Sequence, residues 1–354
     1  MKIAFVTPFL SGQGGTETVL LKVLNYLAQN MTNHQYELVL TEGSQHKQWL
    51  KRLDRRIEIT ENPTRNPITV RLFERHYFST TPAELIISLG SRPIFVASQV
   101  RDHLKRPYKI VSWIHSTLKN VRWFDPDSLQ HADAHLAISS GIADQMKDYG
   151  IAADRIYTIY NPVTPCEALI PRSQPGETTR FIFVGRIQYR GQKDLKALLG
   201  GLQNLRGDWT IDFYGAGNGL NECKDFIKRH PQLKPRVRWH GWITDPWAEI
   251  QTADALLLSS KFEGLPMVLL EAMSHGIPCV SSDCPTGPAD IIQDGKNGFL
   301  YPLGNTGKLH HALDRVVQGY EFDDEETIRA SIDKFYDQNY FTRVQEVIEH
   351  IVRQ

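Results

Sequence analysis

The sequence predicts two Rossmann-like α/β domains facing each other across a cleft, each a parallel sheet with helices on both sides. Three observations lead there. The chain has 354 residues, more than one hydrophobic core usually organises. Short apolar runs alternate with amphipathic ones almost throughout, the pattern of a parallel sheet with crossover helices. A proline-rich break near the middle interrupts this alternation, which then restarts.

Taken in order, strand-like runs fall at 2–7, 36–40, 85–89, 108–114, 134–138 and 155–159. Between the first two, Thr16 to Gln29 carries Val19, Leu20, Val23, Leu24 and Leu27 on one stripe, which predicts a helix packed on the sheet. Pro162, Pro165, Pro171, Pro175 and Gly176 then break the pattern. Further strands are expected at 180–184, 210–214, 237–239, 253–258, 277–281 and 298–301. The predicted organisation is a first domain over 1–162, a linker over 163–178 and a second domain over 179–330. A helical segment over 331–354, with apolar residues from Tyr336 to Ile351 at helical spacing, is expected to pack back on the first domain.

Composition is that of an ordinary globular chain. Cys166, Cys223, Cys279 and Cys284 show no CxxC pairing and no neighbouring histidine cluster, so neither a zinc site nor a disulfide framework is expected. Apolar residues after Lys2 resemble a signal peptide only until Pro8, and no run approaches the roughly 20 apolar residues of a membrane helix. The net charge of zero hides an asymmetry: residues 1–175 hold 20 Lys and Arg against 16 Asp and Glu, the remainder 20 against 24. Basic residues from Lys47 to Arg75 mix with Trp49, Phe73, Tyr77 and Phe78. Such a stretch either rests on an anionic membrane or acceptor, or is a solvated helix face over core aromatics.

The richest chemistry lies between Ser259 and Met273. A buried strand, a tight loop and a new helix carry Glu263 and Glu271, with Gly264, Leu265, Pro266 and Met267 at the turn. Pro266 suits the first helical turn, and the free amides there suit an anion. Two carboxylates flanking them suit a hydroxylated ligand longer than a phosphate, as a sugar nucleotide is. The alternative is a loop cap and a solvated helix residue. Arg186 ends the strand 180–184 and Lys193 follows across a loop, so both can converge on one diphosphate; a structural ion pair is the alternative. His115 stands at the carboxyl end of an apolar strand, where ligands of such sheets bind. Gly14 and Gly15 precede the first helix and can admit a phosphate or sugar, although many such turns need glycine for geometry alone. Gly215-Ala216-Gly217-Asn218-Gly219 lacks the acidic partner of a dinucleotide site, and neither glycine turn carries the full nicotinamide fingerprint. Asp125-Pro126-Asp127 reads as a turn or cap rather than a metal pair, and His131, Asp133 and His135 alternate without a ligand spacing.

Together these residues resemble the family 4 retaining glycosyltransferases of the GT-B fold. The resemblance spans nearly the whole chain and is strongest from Phe181 to Pro302. It rests on Gly14-Gly15, His115, Gly185-Arg186 with Lys193, the paired glutamates, Gly276-Ile277-Pro278, and Gly287 to Ile292 with Asn297-Gly298. Asp290 stands where the family more often has glutamate. Within the family, Asp133 to Ile142, Gly191-Gln192-Lys193, Gly241-Trp242 and Ala330 to Tyr336 are similar to the lipopolysaccharide 1,6-galactosyltransferases. The first domain matches less well.

The resemblance implies transfer of a hexosyl group, galactosyl by preference, from a UDP-sugar to a hydroxyl of a cell-surface glycan or glycolipid. The anomeric configuration would be retained. It implies that Glu271 holds the ribose, that Arg186, Lys193 and the amides from Gly264 to Met267 hold the diphosphate, and that Glu263 contacts the sugar. His115 and Gly14-Gly15 would border the reacting ring, and Trp242-Ile243 would read the base. No cofactor, metal or nucleic acid is expected, and the site of action would be cytoplasmic, at the inner face of the membrane. A UDP-sugar epimerase of the same fold is the rival enzyme. A non-catalytic sugar-nucleotide-binding partner in polysaccharide assembly is the rival of another class.

Overall fold

A computed structural model describes residues 1–354 except Gln13, Asn120 and Arg122. It divides into two compact units, Met1–Pro162 with Gln338–Gln354, and Val163–Asp337.

In the first unit β1 (Lys2–Thr7), β2 (Gln35–Leu40), β3 (Ile57–Glu61), β4 (Leu85–Ser88), β5 (Lys109–Ile114), β6 (Ala134–Ala137) and β7 (Ile156–Thr158) form one sheet, ordered β3-β2-β1-β4-β5-β6-β7. Every strand pair is parallel, so the sheet is buried on both faces and its central strands read as unbroken apolar runs. Helices α1 (Gly15–Asn30), α2 (Pro67–Thr80), α3 (Ser91–Leu104) and α4 (Ser140–Asp148) make the crossovers. The α1 stripe of Val19, Leu20, Val23, Leu24 and Leu27 is buried, as its period predicts. Strand β3 escaped the sequence reading because it is an edge strand: Ile57 is buried but Ile59 is 44% exposed, so no continuous apolar run marks it.

The second unit repeats the plan with β8 (Thr179–Val184), β9 (Trp209–Tyr214), β10 (Val237–Gly241), β11 (Ala255–Leu258), β12 (Cys279–Asp283) and β13 (Gly298–Pro302), ordered β10-β9-β8-β11-β12-β13. Its helices are α5 (Leu195–Leu202), α6 (Leu220–Arg229), α7 (Met267–Ser274), α8 (Pro288–Ile291), α9 (Thr306–Val317) and α10 (Glu325–Ala330). Because β8 is flanked by β9 on one side and β11 on the other, the chain reverses direction across the sheet there. The loops leaving β8 and β11 diverge at that switch point and leave a crevice.

Residues 163–178, expected as a linker, are fastened to the second unit. Ile170 N–H donates to the His275 carbonyl, Ala253 N–H donates to the Pro171 carbonyl, and the Ser173 backbone and hydroxyl both donate to the Asp254 carboxylate. The prolines interrupt periodicity without freeing the chain, since carbonyls and side chains still find partners. Residues 331–337 also belong to this unit, and only from Gln338 does the chain rejoin the first. There α11 (Asp337–Arg353) buries Tyr340, Phe341, Val344, Ile348 and Ile351. Phe341 stacks on Tyr26 of α1 with centroids 4.0 Å apart, and Lys109 Nζ donates to the Ile351 carbonyl at 2.8 Å.

Two histidines of the first unit have shielded ring nitrogens. His135 on β6 is fully buried, with Nδ1 hydrogen-bonded to Ser112 Oγ at 2.8 Å and Nε2 unpartnered. His115, just past β5, is half-buried as a residue, yet its Nε2 is shielded from solvent and also unpartnered. Burial drives both imidazoles from the ordinary 6.5 down to about 3. The unfolded chain therefore binds up to two more protons than the folded one between those values. Stability is fully present above pH 6.5 and falls as pH drops toward 3, by up to about 2.7 kcal/mol per pH unit. Hydrogen exchange of β5 and β6 peptides, corrected for intrinsic rates, should show protection falling steeply from pH 7 to pH 5. Flat protection over that range would refute it.

Candidate active site

The site is built on the crevice at the carboxyl ends of β8 and β11. After β8, Gly185 takes a φ of 152° and Arg186 emerges exposed. Arg186 Nη2 donates to Gln192 Oε1 at 2.7 Å. Gln192 Nε2 donates in turn to the Phe262 carbonyl at 3.1 Å and approaches Glu263 Oε2 at 3.4 Å, both in the loop after β11. Beside it, Lys193 Nζ pairs with Glu263 Oε1 at 2.7 Å, and each side chain is only about a tenth exposed. The two diverging loops are thus stitched by a chain of charge and hydrogen bonds, Arg186 to Gln192 to Glu263 to Lys193.

The supports of this cluster are backbone devices. Asp194 holds a left-handed φ of 42°, costly for a residue with a Cβ. Ser259 Oγ fixes it by donating to the carbonyls of Lys193 and Asp194, and Lys261 Nζ lies 3.2 Å from its carboxylate. On the other side, Thr286 Oγ1 donates to the Glu263 carbonyl. Next to it, Gly287 packs so closely that a Cβ would sit 2.5 Å from Pro266 Cδ and 3.0 Å from the Gly264 carbonyl oxygen. Gly264, Leu265 and Pro266 are buried in this turn. Pro266 proves to be the residue before the helix rather than its first turn, with φ −74° and ψ 97°, and α7 begins at Met267. Among the described residues, the N–H groups of Gly264, Leu265, Met267 and Val268 donate to no protein acceptor, the arrangement that receives anionic oxygens. Glu271 is half-exposed about one turn into α7.

Gly215, Gly217 and Gly219 pack directly against backbone. A Cβ on each would meet Gly185 O at 1.9 Å, Ile187 O at 2.2 Å and Tyr189 N at 2.2 Å respectively. Ile187 N–H donates to Ala216 O and Gly219 N–H to Ile187 O. The glycine run is the bed on which the Arg186 loop lies, and its spacing of every second residue, facing one backbone, was the signal available in the sequence. Trp242, two-thirds exposed, and Ile243 follow the edge strand β10, whose last carbonyl accepts from Gly215 N–H at 2.6 Å.

The first unit's glycine loop is not an open anion nest. The Glu17 carboxylate accepts from Ser11 Oγ at 2.9 Å, from Gly12 N–H at 2.6 Å and from Gly14 N–H at 3.1 Å, filling the head of α1 with its own negative charge. A phosphate at Gly14 and Gly15 would face that charge. Gln13 of the same loop lies outside the described residues. His115, neutral near pH 7, offers a hydrogen bond rather than a positive charge. Asp125 caps the short turn that follows, accepting from Asp127 N–H at 3.2 Å. His131 packs on Phe95, Asp133 pairs with Arg101 at 2.6 Å, and His135 is in the core, so those three do not converge. Among the described residues no group of three His, Cys, Asp or Glu is placed to hold a metal ion. Cys223, Cys279 and Cys284 are buried thiols, and burial raises the Cys284 thiol to about 12.

A seven-stranded and a six-stranded parallel sheet, the second with two cations, a buried glutamate and open helix amides at its switch point, are the architecture of the GT-B glycosyltransferases. Two family models cover most of the chain: Glycosyltransferase Family 4 over residues 13–165 and Glycosyl transferases group 1 over residues 178–319. The chain belongs to the family 4 glycosyltransferases. It is 36% identical over 356 residues to the lipopolysaccharide 1,6-galactosyltransferase of Escherichia coli (strain K12), covering 98% of each chain. Identity to the enzyme of that name from Salmonella typhimurium is 34%, again over 98% of each. Among solved structures, the apo lipopolysaccharide outer core galactosyltransferase WaaB matches with a TM-score of 0.89 at 33% identity over 99% of each chain. Anabaena HepE in complex with UDP-glucose matches in fold, with a TM-score of 0.76 at 18% identity.

Gly217→Ala should displace the Arg186 loop, because its methyl would overlap Ile187 O. The expected cost is about 1–3 kcal/mol of stability, together with weaker UDP binding by titration calorimetry, since Arg186 moves with the loop. Unchanged affinity and melting temperature would show that the glycine bed does not set the loop.

Proposed function

We propose that this glycosyltransferase moves a galactosyl group from UDP-galactose to a hydroxyl of a lipopolysaccharide-core glycan, with retention of anomeric configuration, on the cytoplasmic side of the membrane. The observation that carries the reading is the Arg186–Gln192–Glu263–Lys193 cluster beside the free amides from Gly264 to Val268. The sequence likeness to two lipopolysaccharide 1,6-galactosyltransferases over nearly full length supports the choice of sugar and acceptor.

In this reading the diphosphate lies against the α7 amides and takes hydrogen bonds from Arg186 and Lys193. These donors stabilise the charge that builds on UDP as the glycosidic bond breaks, the electrostatic work of the step. Lys193 already faces Glu263, so the diphosphate shares a cation whose position the protein has fixed. Glu271 accepts from the ribose hydroxyls, and Glu263 from the transferred sugar. Trp242 and Ile243 lie against the base. The acceptor oxygen forms its bond to the anomeric carbon on the face UDP leaves, and its proton passes to the departing phosphate oxygen. Acceptor recognition is assigned to the first unit, where His115 and the Gly14-Gly15 turn supply uncharged hydrogen-bonding and close backbone approach.

Glu271→Ala should weaken UDP binding by about tenfold, the loss of charge-assisted hydrogen bonds to the ribose. Lys193→Ala should instead lower turnover by about 10²–10³ with smaller change in binding. Calorimetry with UDP and mass-spectrometric product assays over a panel of UDP-sugars separate the two effects. Wild-type binding and turnover in both variants would remove the site. An isomerised sugar nucleotide from donor alone would mark an epimerase instead.

A further inference from the structure

Gln192 is held in the crevice twice over, once by its backbone and once by its side chain. Its carbonyl accepts from Lys261 N–H at 2.7 Å, which ties the loop after β8 to the loop after β11 whatever side chain the position carries. The side chain adds contacts of another kind. It accepts from Arg186 Nη2 at 2.7 Å, donates to the Phe262 carbonyl at 3.1 Å and stands 3.4 Å from Glu263 Oε2.

These neighbours dictate which way the amide faces. Turned over, its nitrogen would meet the guanidinium, donor against donor, and its oxygen would meet a carbonyl and a carboxylate. As it lies, every contact is complementary. The position asks for an acceptor at one corner and donors at the other, without charge, and an amide supplies both.

The consequence is electrostatic. Glu263 is nearly buried and its Oε1 is taken by Lys193, while its Oε2 faces the Gln192 amide. Arg186 is exposed, and among the described residues it has no carboxylate partner. A guanidinium and a half-paired carboxylate on opposite sides of one amide would be expected to close on each other as a charge-assisted pair. Gln192 stands between them. It satisfies one guanidinium N–H with a neutral acceptor and covers Oε2 with a long, neutral contact that a ligand hydroxyl can replace.

The geometry points to Gln192 as a positioning residue of the donor site, a neutral spacer that holds Arg186 off Glu263 and keeps its remaining N–H groups for the diphosphate of UDP. This rests on the role proposed for Arg186. Stapling the two loops is not the task of the side chain, because other bonds do that. They are the Lys261 N–H bond, the Ser259 hydroxyl on the carbonyls of Lys193 and Asp194, and the pair of Lys261 with Asp194. All of them survive truncation of Gln192.

The test is calorimetry with UDP and saturation-transfer NMR with uridine on Q192M, R186Q and R186Q/Q192M. Q192M keeps the length of the side chain and removes both hydrogen-bonding ends. It should weaken UDP about fivefold, with uridine affinity and melting temperature unchanged, because only the diphosphate meets Arg186. In the R186Q background the same change should cost less than about twofold, since the group it positions is gone. Q192A, which brings no bulk to misfit, should reproduce these results. Wild-type UDP affinity in Q192M and Q192A overturns the assignment. So does an equal loss for uridine, or a loss of the same size with and without Arg186, either of which marks a structural staple. R186Q that binds UDP as the wild type does removes the proposed role of Arg186 and this inference with it. An impaired R186Q beside an unaffected Q192M removes the inference alone.

Discussion

The ion pair between Lys193 and Glu263 is the constraint around which the second unit is arranged. The two residues arrive on loops that leave β8 and β11, strands adjacent in the sheet but separated by some 70 positions in sequence, and both side chains are nearly buried. Removing one partner of such a pair would strand a buried charge at a cost of about 3–5 kcal/mol. The structure spends several devices to keep the pair in register: the left-handed Asp194, the Ser259 hydroxyl beneath it, and the Thr286 hydroxyl on the Glu263 carbonyl. A hydrophobic pair of similar size is often an equally stable solution, and in the proposed function the charges serve the ligand.

The two units divide the chemistry by charge. In the second, helix amides at α7 are open and cations converge beside them, the environment a diphosphate requires. In the first, the corresponding loop at α1 is closed by Glu17, and His115 and His135 of the same unit are held neutral by burial. Such an environment disfavours anions. In the proposed function this division has a use, because the donor leaves as a charged diphosphate while the acceptor attacks as a neutral alcohol.

Much of the fold was legible because buried parallel strands must be largely apolar, and the central strands of both sheets stand out along the chain as apolar runs. The edge strand β3 did not, since half of it faces water. Glu263, Arg186 and Lys193 were legible as candidates because they stand just past apolar strands, and the structure brings Lys193 onto Glu263 as an ion pair. What could not be read was connectivity between side chains. Gln192 looks like any polar loop residue, and only the folded chain shows it joining Arg186 to the Glu263 loop. Glu17 was equally hidden, because an acid in the first helical turn is common and its capture of three donors depends on the loop's path.

Glycine carries a related lesson about the site's precision. Gly215, Gly217 and Gly219 resemble a nucleotide fingerprint because both uses demand the absence of a Cβ, one for phosphate approach and one for backbone approach. Here the approaching group is the chain's own 185–189 loop, close enough that any side chain would collide with a carbonyl or an amide. A loop tied to its neighbour by backbone hydrogen bonds cannot drift as a surface loop does. Arg186 itself is exposed and long, so its reach would be imprecise on a mobile base. Set on this bed and tethered at its tip by Gln192, it leaves from a fixed origin, so that in the proposed function the entropy of positioning a cation for the diphosphate is met during folding rather than during catalysis.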